Sequence, residues 1–467
     1  MNSVASIEPK ADLVTLTASP PTIAGRTILA VSCAAPLLVL IDYTVPLVTL
    51  PETVAGLGTG ATGPTWILNG IALGLAALLL VAGVIADDFG RKRTYVVGMA
   101  VLALSTALSA VAWTTLVFVL ARFIQGAAGA ALLAASLGAL GHAHPAGPDR
   151  LRASGVYGSM LSLGVAIGPL IAAGLAALAG WRGMYWAIAA VAAVLTLIAT
   201  RLLPESRAEH PRRLDIPGVV TLSLGLAAVV AAVTEGRQGW TQPFVPIAFA
   251  VAALLITAFV LIENRRHEPL LDLTLFRRPL FLVSTGGALV AGFAVVGLMS
   301  YLPTALQLTH GLTPLDTALL FSIWSGISFL TALLARRLRV TARTRLVSGL
   351  LLSVLGAPFM YGLTTTWSLP RVVFGLAIAG LGYGLINASL THLSIESVPH
   401  SRVGMGSGAG NTARYVGSSL GVAVITVLVG QWGLGTGIDI TFIGYSIVAI
   451  LAAAACLTVR QGHTENP

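Results

Sequence analysis

Residues 28–50 read ILAVSCAAPLLVLIDYTVPLVTL, and within them Asp42 is the one charged side chain. At about 1.5 Å of rise per residue, a helix of this length crosses a hydrocarbon core of about 30 Å. A carboxylate at that depth costs at least ~2.5–3.5 kcal/mol, so Asp42 reads as a functional group. It is the first place to look for proton or cation chemistry.

The rest of the chain is of the same kind. Of 467 residues, 56% are hydrophobic and only 10% are charged. The mean hydropathy is +0.89, far above that of water-soluble domains. A polytopic, all-α membrane protein follows. The first 26 residues are polar and lack the sequence of basic region, short apolar core and cleavage site that marks a removable signal peptide. The first span is therefore expected to stay and to act as its own insertion signal. Cys33 and Cys456 both fall in apolar spans without metal-ligand spacing, and read as small packing residues.

A window of roughly 20 residues gives fourteen candidate spans. They lie at 27–50, 65–86, 94–113, 115–140, 152–178, 182–203, 216–234, 243–263, 281–306, 316–338, 345–366, 369–393, 403–429 and 437–460. Alternate connections collect the arginines: Arg91 and Arg93 with Lys92, Arg150 and Arg152, then the stretches around 201–213, 265–278 and 336–345. The other connections offer only Arg182, Arg237 and Arg371. The positive-inside rule then puts both tails in the cytoplasm and the chain in the cytoplasmic (inner) membrane. Topology accounts for the net charge of +9, and no nucleic-acid partner is needed.

The connections divide the chain as six spans, two, and six. The division gives a tail at 1–26, a six-span unit at 27–203, a linker with two extra spans at 204–280, a second six-span unit at 281–460 and a tail at 461–467. Within the linker, EPLLDLTLFRRPLF (268–281) mixes leucines and Phe276 with Arg277 and Arg278. That pattern suits a short helix in the membrane interface, or an ordinary solvated loop.

Four motifs carry a resemblance. GVIADDFGRKR (83–93) carries Gly83, Asp87, Gly90 and Arg91 where span two meets span three, and Gly90 permits a tight turn there. LARFIQGAAGAA (120–131) puts Arg122 inside span four. An arginine cannot shed its proton, so it needs a partner or water there, unless it snorkels to the interface as an anchor. GVYGSMLSLGVAIGPLIAAG (155–174) carries Gly155, Gly164, Gly168 and Pro169, small residues for close helix approach and a weakened backbone ladder. IDYTVPLVTLPETV (41–54) surrounds Asp42. Together these resemble the signature loop, the buried-arginine motif, the antiporter motif and the first-span motif of the major facilitator superfamily, in its fourteen-helix drug:proton antiporter branch. That branch includes quaternary-ammonium and dye exporters. Weaker echoes run along nearly the whole chain: Trp181-Arg182, LPES at 203, RRLDIPG at 212, YLPTALQ at 301 and GMGSGAGNTARYVGSSLGVAV at 404–424. Departures exist as well. Asp88 stands where the family usually has a basic residue, and Ala172-Ala173 replace a usual glycine pair.

The resemblance implies two six-helix, pseudo-symmetric bundles, two extra linker helices, and a central cavity that opens alternately to either side. It implies proton-driven efflux of lipophilic, cationic compounds such as dyes, quaternary ammonium compounds and antibiotics. No cofactor is implied beyond the proton gradient, and the partners are small-molecule drugs, protons and the lipid bilayer, with the chain a monomer. Depth arithmetic sets Arg122 roughly 10 Å and Asp42 roughly 12 Å from the outer ends of their spans, so the two can pair directly or through water. Asp42 then binds either a proton or the substrate, and exchanges one for the other. Asn69, Tyr157, Met160, Gln307, Asn387, Asn411, Arg414 and Tyr415 are the candidate cavity residues, each able instead to bond a neighbouring helix. Arg414 lies roughly 16 Å into span thirteen and would favour anionic or zwitterionic substrates. His392 is a further proton-relay candidate. No deep carboxylate occurs in spans 281–429, so the two halves are expected to share architecture but not chemistry.

Other classes fare worse. A nutrient symporter shares the fold but gains nothing from the span-five motif, whereas a dedicated exporter of one natural product fits equally well. An intramembrane enzyme would need paired acids, a metal cluster or an activated nucleophile in the spans, and primary active transport would need a GxxxxGK loop. The sequence contains neither at suitable spacing.

Overall fold

A computed structural model describes residues 23–143, 148–207, 215–236, 239–266, 269, 271–335, 337–338, 340–398 and 403–458, without the side chains of 23, 24, 80, 84, 87, 88, 148–152, 154, 155, 403 and 404. The helices are α1 (Ile23–Leu57), α2 (Gly63–Phe89), α3 (Arg91–Val111), α4 (Thr115–Ala143), α5 (Pro148–Leu202), α6 (Ile216–Glu235) and α7 (Phe244–Arg265). They continue with α8 (Pro279–Val290), α9 (Gly297–His310), α10 (Pro314–Ala335), α11 (Ala342–Met360), α12 (Leu369–Glu396) and α13 (Val403–Thr458). A π-helical turn, Ala291–Val296, joins α8 to α9 as one span.

Among the described residues, ten helices are long and apolar enough to cross a membrane. Two of them are double. α5 turns at Gly180 (φ 69°) and α13 at Gly433 (φ 76°), backbone conformations that glycine reaches without a Cβ clash. Dividing both at these turns, and counting α2 and α11, gives a set consistent with fourteen crossings. Large apolar side chains such as Leu104, Leu178, Leu254 and Leu451 point outward. A bilayer can solvate such a surface and water cannot.

The connections fall at two ends. At one, here the Gly58 end, Trp181 packs against Gly56, Arg182 Nη1 donates to Ala110 O at 2.8 Å, and Gly362 N donates to Asp439 Oδ1 at 2.8 Å. At the other, the Gly90 end, Arg91 N donates to Ser206 O at 2.9 Å.

Two six-helix bundles meet across a central seam. α2 of the first packs on the first half of α13, and α5 on α10. The second rod of each bundle thus meets the fifth of the other, the reciprocity that a two-fold axis requires. Hydrogen bonds cross the seam at the Gly58 end, Thr65 with Thr426 at 2.8 Å and Gln307 Nε2 donating to Val48 O at 2.9 Å, and deeper along it, where Ser322 Oγ donates to Ala166 O at 3.2 Å and Thr412 Oγ1 to Ala76 O at 3.5 Å. Helices α6 and α7 form a hairpin on the outside, with Ser223 Oγ of α6 donating to Ala77 O of α2 at 3.2 Å. The stretch read as a short interfacial helix contains a five-residue 3-10 turn, Leu273–Arg277, with Asp272 accepting from Thr274 N at its start.

Small residues set the spacing. A Cβ at Gly126 would overlap Ile71 O, and one at Gly74 would overlap Phe123 O, so α2 and α4 touch backbone to backbone. This contact carries Arg122 to the face of α1.

Candidate functional site

Asp42 and Arg122 meet directly, and both side chains are 0% exposed. Arg122 Nη1 lies 2.9 Å from Asp42 Oδ1, 3.0 Å from the Asp42 carbonyl oxygen and 2.8 Å from Gln125 Oε1. Gln125 Nε2 in turn donates to Ser109 Oγ at 2.8 Å. The guanidinium stands 5.9 Å from the centre of the Tyr185 ring, which packs edge-on against Phe118. Aromatic walls therefore close the pair from the Gly58 end.

Its depth differs from the arithmetic on the sequence. α1 runs through Pro46 and Pro51 to Leu57, seven residues past the expected boundary. Asp42 thus sits roughly 22 Å from that end of its helix, and Arg122 roughly 10 Å from the start of α4. The helices are offset along their axes, and the long arginine side chain spans the difference.

The hydrogen bonding is incomplete. Asp42 Oδ2 and Arg122 Nε and Nη2 have no hydrogen-bond partner among the described residues. A buried ion pair that leaves such groups unsatisfied is a weak source of stability, because desolvation offsets most of the attraction. Placement of that kind points to use rather than to packing.

A second cluster stands across the seam, nearer the Gly90 end. Arg414 of α13 donates from Nη1 to Asn387 Oδ1 at 3.2 Å and from Nη2 to Asn411 Oδ1 at 2.7 Å. Its guanidinium lies 5.4 Å from the centre of the Tyr415 ring. Tyr415 faces Tyr43 of α1 at 5.9 Å, and Tyr43 Oη lies 3.3 Å from Ser418 Oγ. Tyr383 stacks on Trp324 at 4.9 Å. Tyr43, Asn387, Asn411 and Arg414 are all half-buried. No carboxylate pairs with Arg414 among the described residues.

The other sequence candidates are more dispersed. Asn69 Nδ2 donates to Ser419 O at 3.1 Å across the seam, and Gln307 bonds both Val48 and Thr317. Tyr157 donates to Leu133 O at 2.9 Å within a small core that holds Cys33, with Met160 packed against it. His392 pairs with Glu396 at 3.2 Å on an exposed surface. In α5, a Cβ at Gly168 would overlap Thr44 Oγ1 and one at Gly164 would crowd Leu37 O, whereas Gly158 and Gly174 have open space. Pro169 lies inside the same helix. Gly83 also has nothing close, and the side chains of Asp87 and Asp88 and the surroundings of Gly155 fall outside the described set.

Gly90 sits at φ 103°, with the Glu205 carboxylate where a Cβ would stand. Glu205 Oε1 accepts from Lys92 N at 3.2 Å, and Oε2 lies 3.6 Å from Arg93 Nε. The Arg91 side chain runs beneath Gly138 of α4. The LPES stretch thus caps the start of α3, a helix N-terminus that favours a carboxylate.

Gln125, Tyr185, Tyr43, Trp324, Tyr383, Ser418 and Glu205 join these sites without being among the sequence candidates. Helical spacing could have found several of these. Gln125 stands three residues after Arg122, Tyr383 four before Asn387, and Ser418 four after Arg414.

Residues 33–422 match the family described as Major Facilitator Superfamily. The puromycin resistance protein pur8 of Streptomyces alboniger is 32% identical over 449 residues, 92% of this chain and 88% of that protein. Multidrug resistance protein Stp of Mycobacterium tuberculosis (strain CDC 1551 / Oshkosh) is 29% identical over 398 residues, covering 85% of this chain and 74% of that one. Among solved structures, a bacterial homolog to the human lysosomal transporter Spinster, inward-facing and occupied, superposes with a TM-score of 0.68. Identity there is 16%, and the match covers 95% of this chain and 100% of that one, a likeness of fold. The chain belongs to the Major Facilitator Superfamily.

Proposed function

We propose that the protein is an efflux transporter that exchanges protons for lipophilic, drug-like compounds by alternating access. Membership of the family makes it a transporter of small molecules in a membrane, not an enzyme. The export direction is supported by relatives named for multidrug and puromycin resistance.

Coupling to protons rests on one observation, the fully buried and incompletely bonded Asp42–Arg122 pair. Protonation of Asp42 would release Arg122 Nη1 from its carboxylate, and a change of one charge in a low-dielectric site is strong enough to bias two arrangements of the seam. The cross-seam bonds at the Gly58 end keep that end closed in this arrangement. Substrate then enters from the Gly90 end, past Asn411 and Arg414. With the arginine-rich connections at the Gly90 end, that side is the cytoplasm, and both tails lie there. The six-two-six division, with α6 and α7 as the linker and the molecule acting as a monomer, belongs to the same reading.

Two positions govern the movement. The capped turn at Gly90 and the close contacts of Gly164 and Gly168 with α1 supply rigid edges, and Pro169, directly after Gly168, weakens the backbone ladder of α5. Dedicated self-resistance to one natural product is the second reading, favoured by the pur8 likeness, which covers 92% of the chain.

The test is pH-driven efflux from energised vesicles that carry the native chain or Asp42→Asn. Coupled efflux is expected to fall to background in the variant while binding of the compound persists. Unchanged efflux removes Asp42 from the coupling role.

A further inference from the structure

The cluster around Arg414 has the wrong charge for a cation site. Asp42, the nearest deep carboxylate in the sequence, is bonded to Arg122 and does not reach Arg414. The acceptors that Arg414 does have, the amide oxygens Asn387 Oδ1 and Asn411 Oδ1 and the hydroxyl of Tyr415, are all neutral, so its full positive charge remains. The amides also hold it in place. Asn411 Nδ2 donates to Ser407 O at 3.0 Å, which fixes the plane of the carboxamide that faces the guanidinium.

Hydrogen-bond supply at the cluster is one-sided. A guanidinium carries five N–H donors, and Asn387, Asn411 and Tyr415 supply three acceptors, so donors remain. The Trp324 indole nitrogen, buried in the same wall, has no acceptor among the described residues. Tyr43 and Ser418 share one hydrogen bond, in which either hydroxyl can donate. The site therefore holds surplus donors and fixed positive charge.

Its walls are aromatic. Trp324 and Tyr383 stack at an interplanar angle of 25°, and Tyr43 and Tyr415 tilt toward each other on the α1 side. Trp324, Tyr383 and Tyr415 are buried and back the site, whereas Tyr43 is half-buried and leaves part of a flat face beside the guanidinium, which orients an oxygen-bearing substituent. Arg414 itself is half-buried, so a ligand can approach it, in contrast to Arg122.

We infer that Arg414, clamped by Asn387 and Asn411 between these aromatic walls, selects planar aromatic compounds that carry a negative charge, alone or in a zwitterion. Compounds whose only charge is positive are disfavoured there. This rests on the export reading for its purpose, but it makes a separate claim about binding. It also narrows the substrate class, because the cationic preference implied by the family resemblance needs Asp42 to face the substrate, and Asp42 faces Arg122.

Fluorescein and rhodamine 123 share a xanthene core and differ in charge, the first anionic and the second cationic. Fluorescence anisotropy titrations with the purified full chain in detergent, corrected with empty micelles, give their relative affinities. The native chain is expected to bind fluorescein at least about tenfold more tightly. Arg414→Gln is expected to abolish that preference and Arg414→Lys to keep its direction. Equal or tighter binding of rhodamine 123 by the native chain overturns the inference without any variant, and so does an unchanged preference in folded Arg414→Gln. Proteoliposome transport of the same dyes separates the two claims. Export of rhodamine 123 alone leaves the export reading standing and removes the charge selection, whereas selective fluorescein binding without pH-driven movement of either dye does the reverse.

Discussion

Two arginines stand inside this membrane protein, and their surroundings differ in every respect that matters to charge. Arg122 is sealed, with a carboxylate at 2.9 Å, a backbone carbonyl and an amide oxygen around a single nitrogen. Arg414 is half-buried, held by two amides and aromatic rings, with no carboxylate partner among the described residues. One site is neutral as a unit and changes charge only when Asp42 gains a proton. The other keeps its charge and leaves donors for something that arrives. A pseudo-two-fold fold thus carries two cationic centres of unlike chemistry, to which the proposals above assign coupling and recognition.

The contrast can be broken most directly by stability. Arg122→Ala strands a buried carboxylate, and a loss of about 3–5 kcal/mol is expected, read as a fall in thermal midpoint in detergent. Arg414→Ala leaves only neutral amides behind and is expected to cost well under half as much. Similar losses at both positions would mean that Arg414 is also a structural ion. The double variant Asp42→Asn/Arg122→Gln sharpens the point. It removes both charges, and its destabilisation is expected to fall short of the sum of the single changes by ~0.5–3 kcal/mol. Strict additivity would separate the two side chains energetically.

Packing offers a smaller test of the same difference. A Cβ at Gly70 would stand 2.7 Å from Arg122 Cβ, whereas one at Gly410, next to Asn411, would meet only Ser394 Cβ at 3.8 Å. Gly70→Ala is therefore expected to destabilise by ~1–3 kcal/mol through overpacking. Gly410→Ala is expected to stay within ~0.5 kcal/mol of native, measured in the same melting assay. Tolerance at Gly70 would show that α2 and α4 can separate around the ion pair.

Much of this was legible before the structure. Apolar length required helices, and the unusual position of Asp42 and Arg122 in apolar spans marked them individually. The glycines of span five were recognisable too, but not which of them bear contacts: Gly164 and Gly168 meet α1, and Gly158 and Gly174 meet nothing. Spacing along one helix cannot tell which face a neighbour covers. Tyr157 illustrates the same limit, since its hydroxyl bonds to α4 rather than to the seam. Depth arithmetic also had no access to the extension of α1 past Pro51 or to the axial offset of α1 and α4.

Composition and span length alone make the chain an all-helical membrane protein and single out Asp42 and Arg122 as buried charges. Hydrocarbon thickness and desolvation act on composition and length, both of which are local properties. Which charge meets which depends on how the helices pack. Asp42 lies 80 positions from Arg122, and Asn387 lies 27 from Arg414. Coulomb energy depends on distance in space, and that distance is set by helix packing at glycines such as Gly70, Gly74 and Gly126.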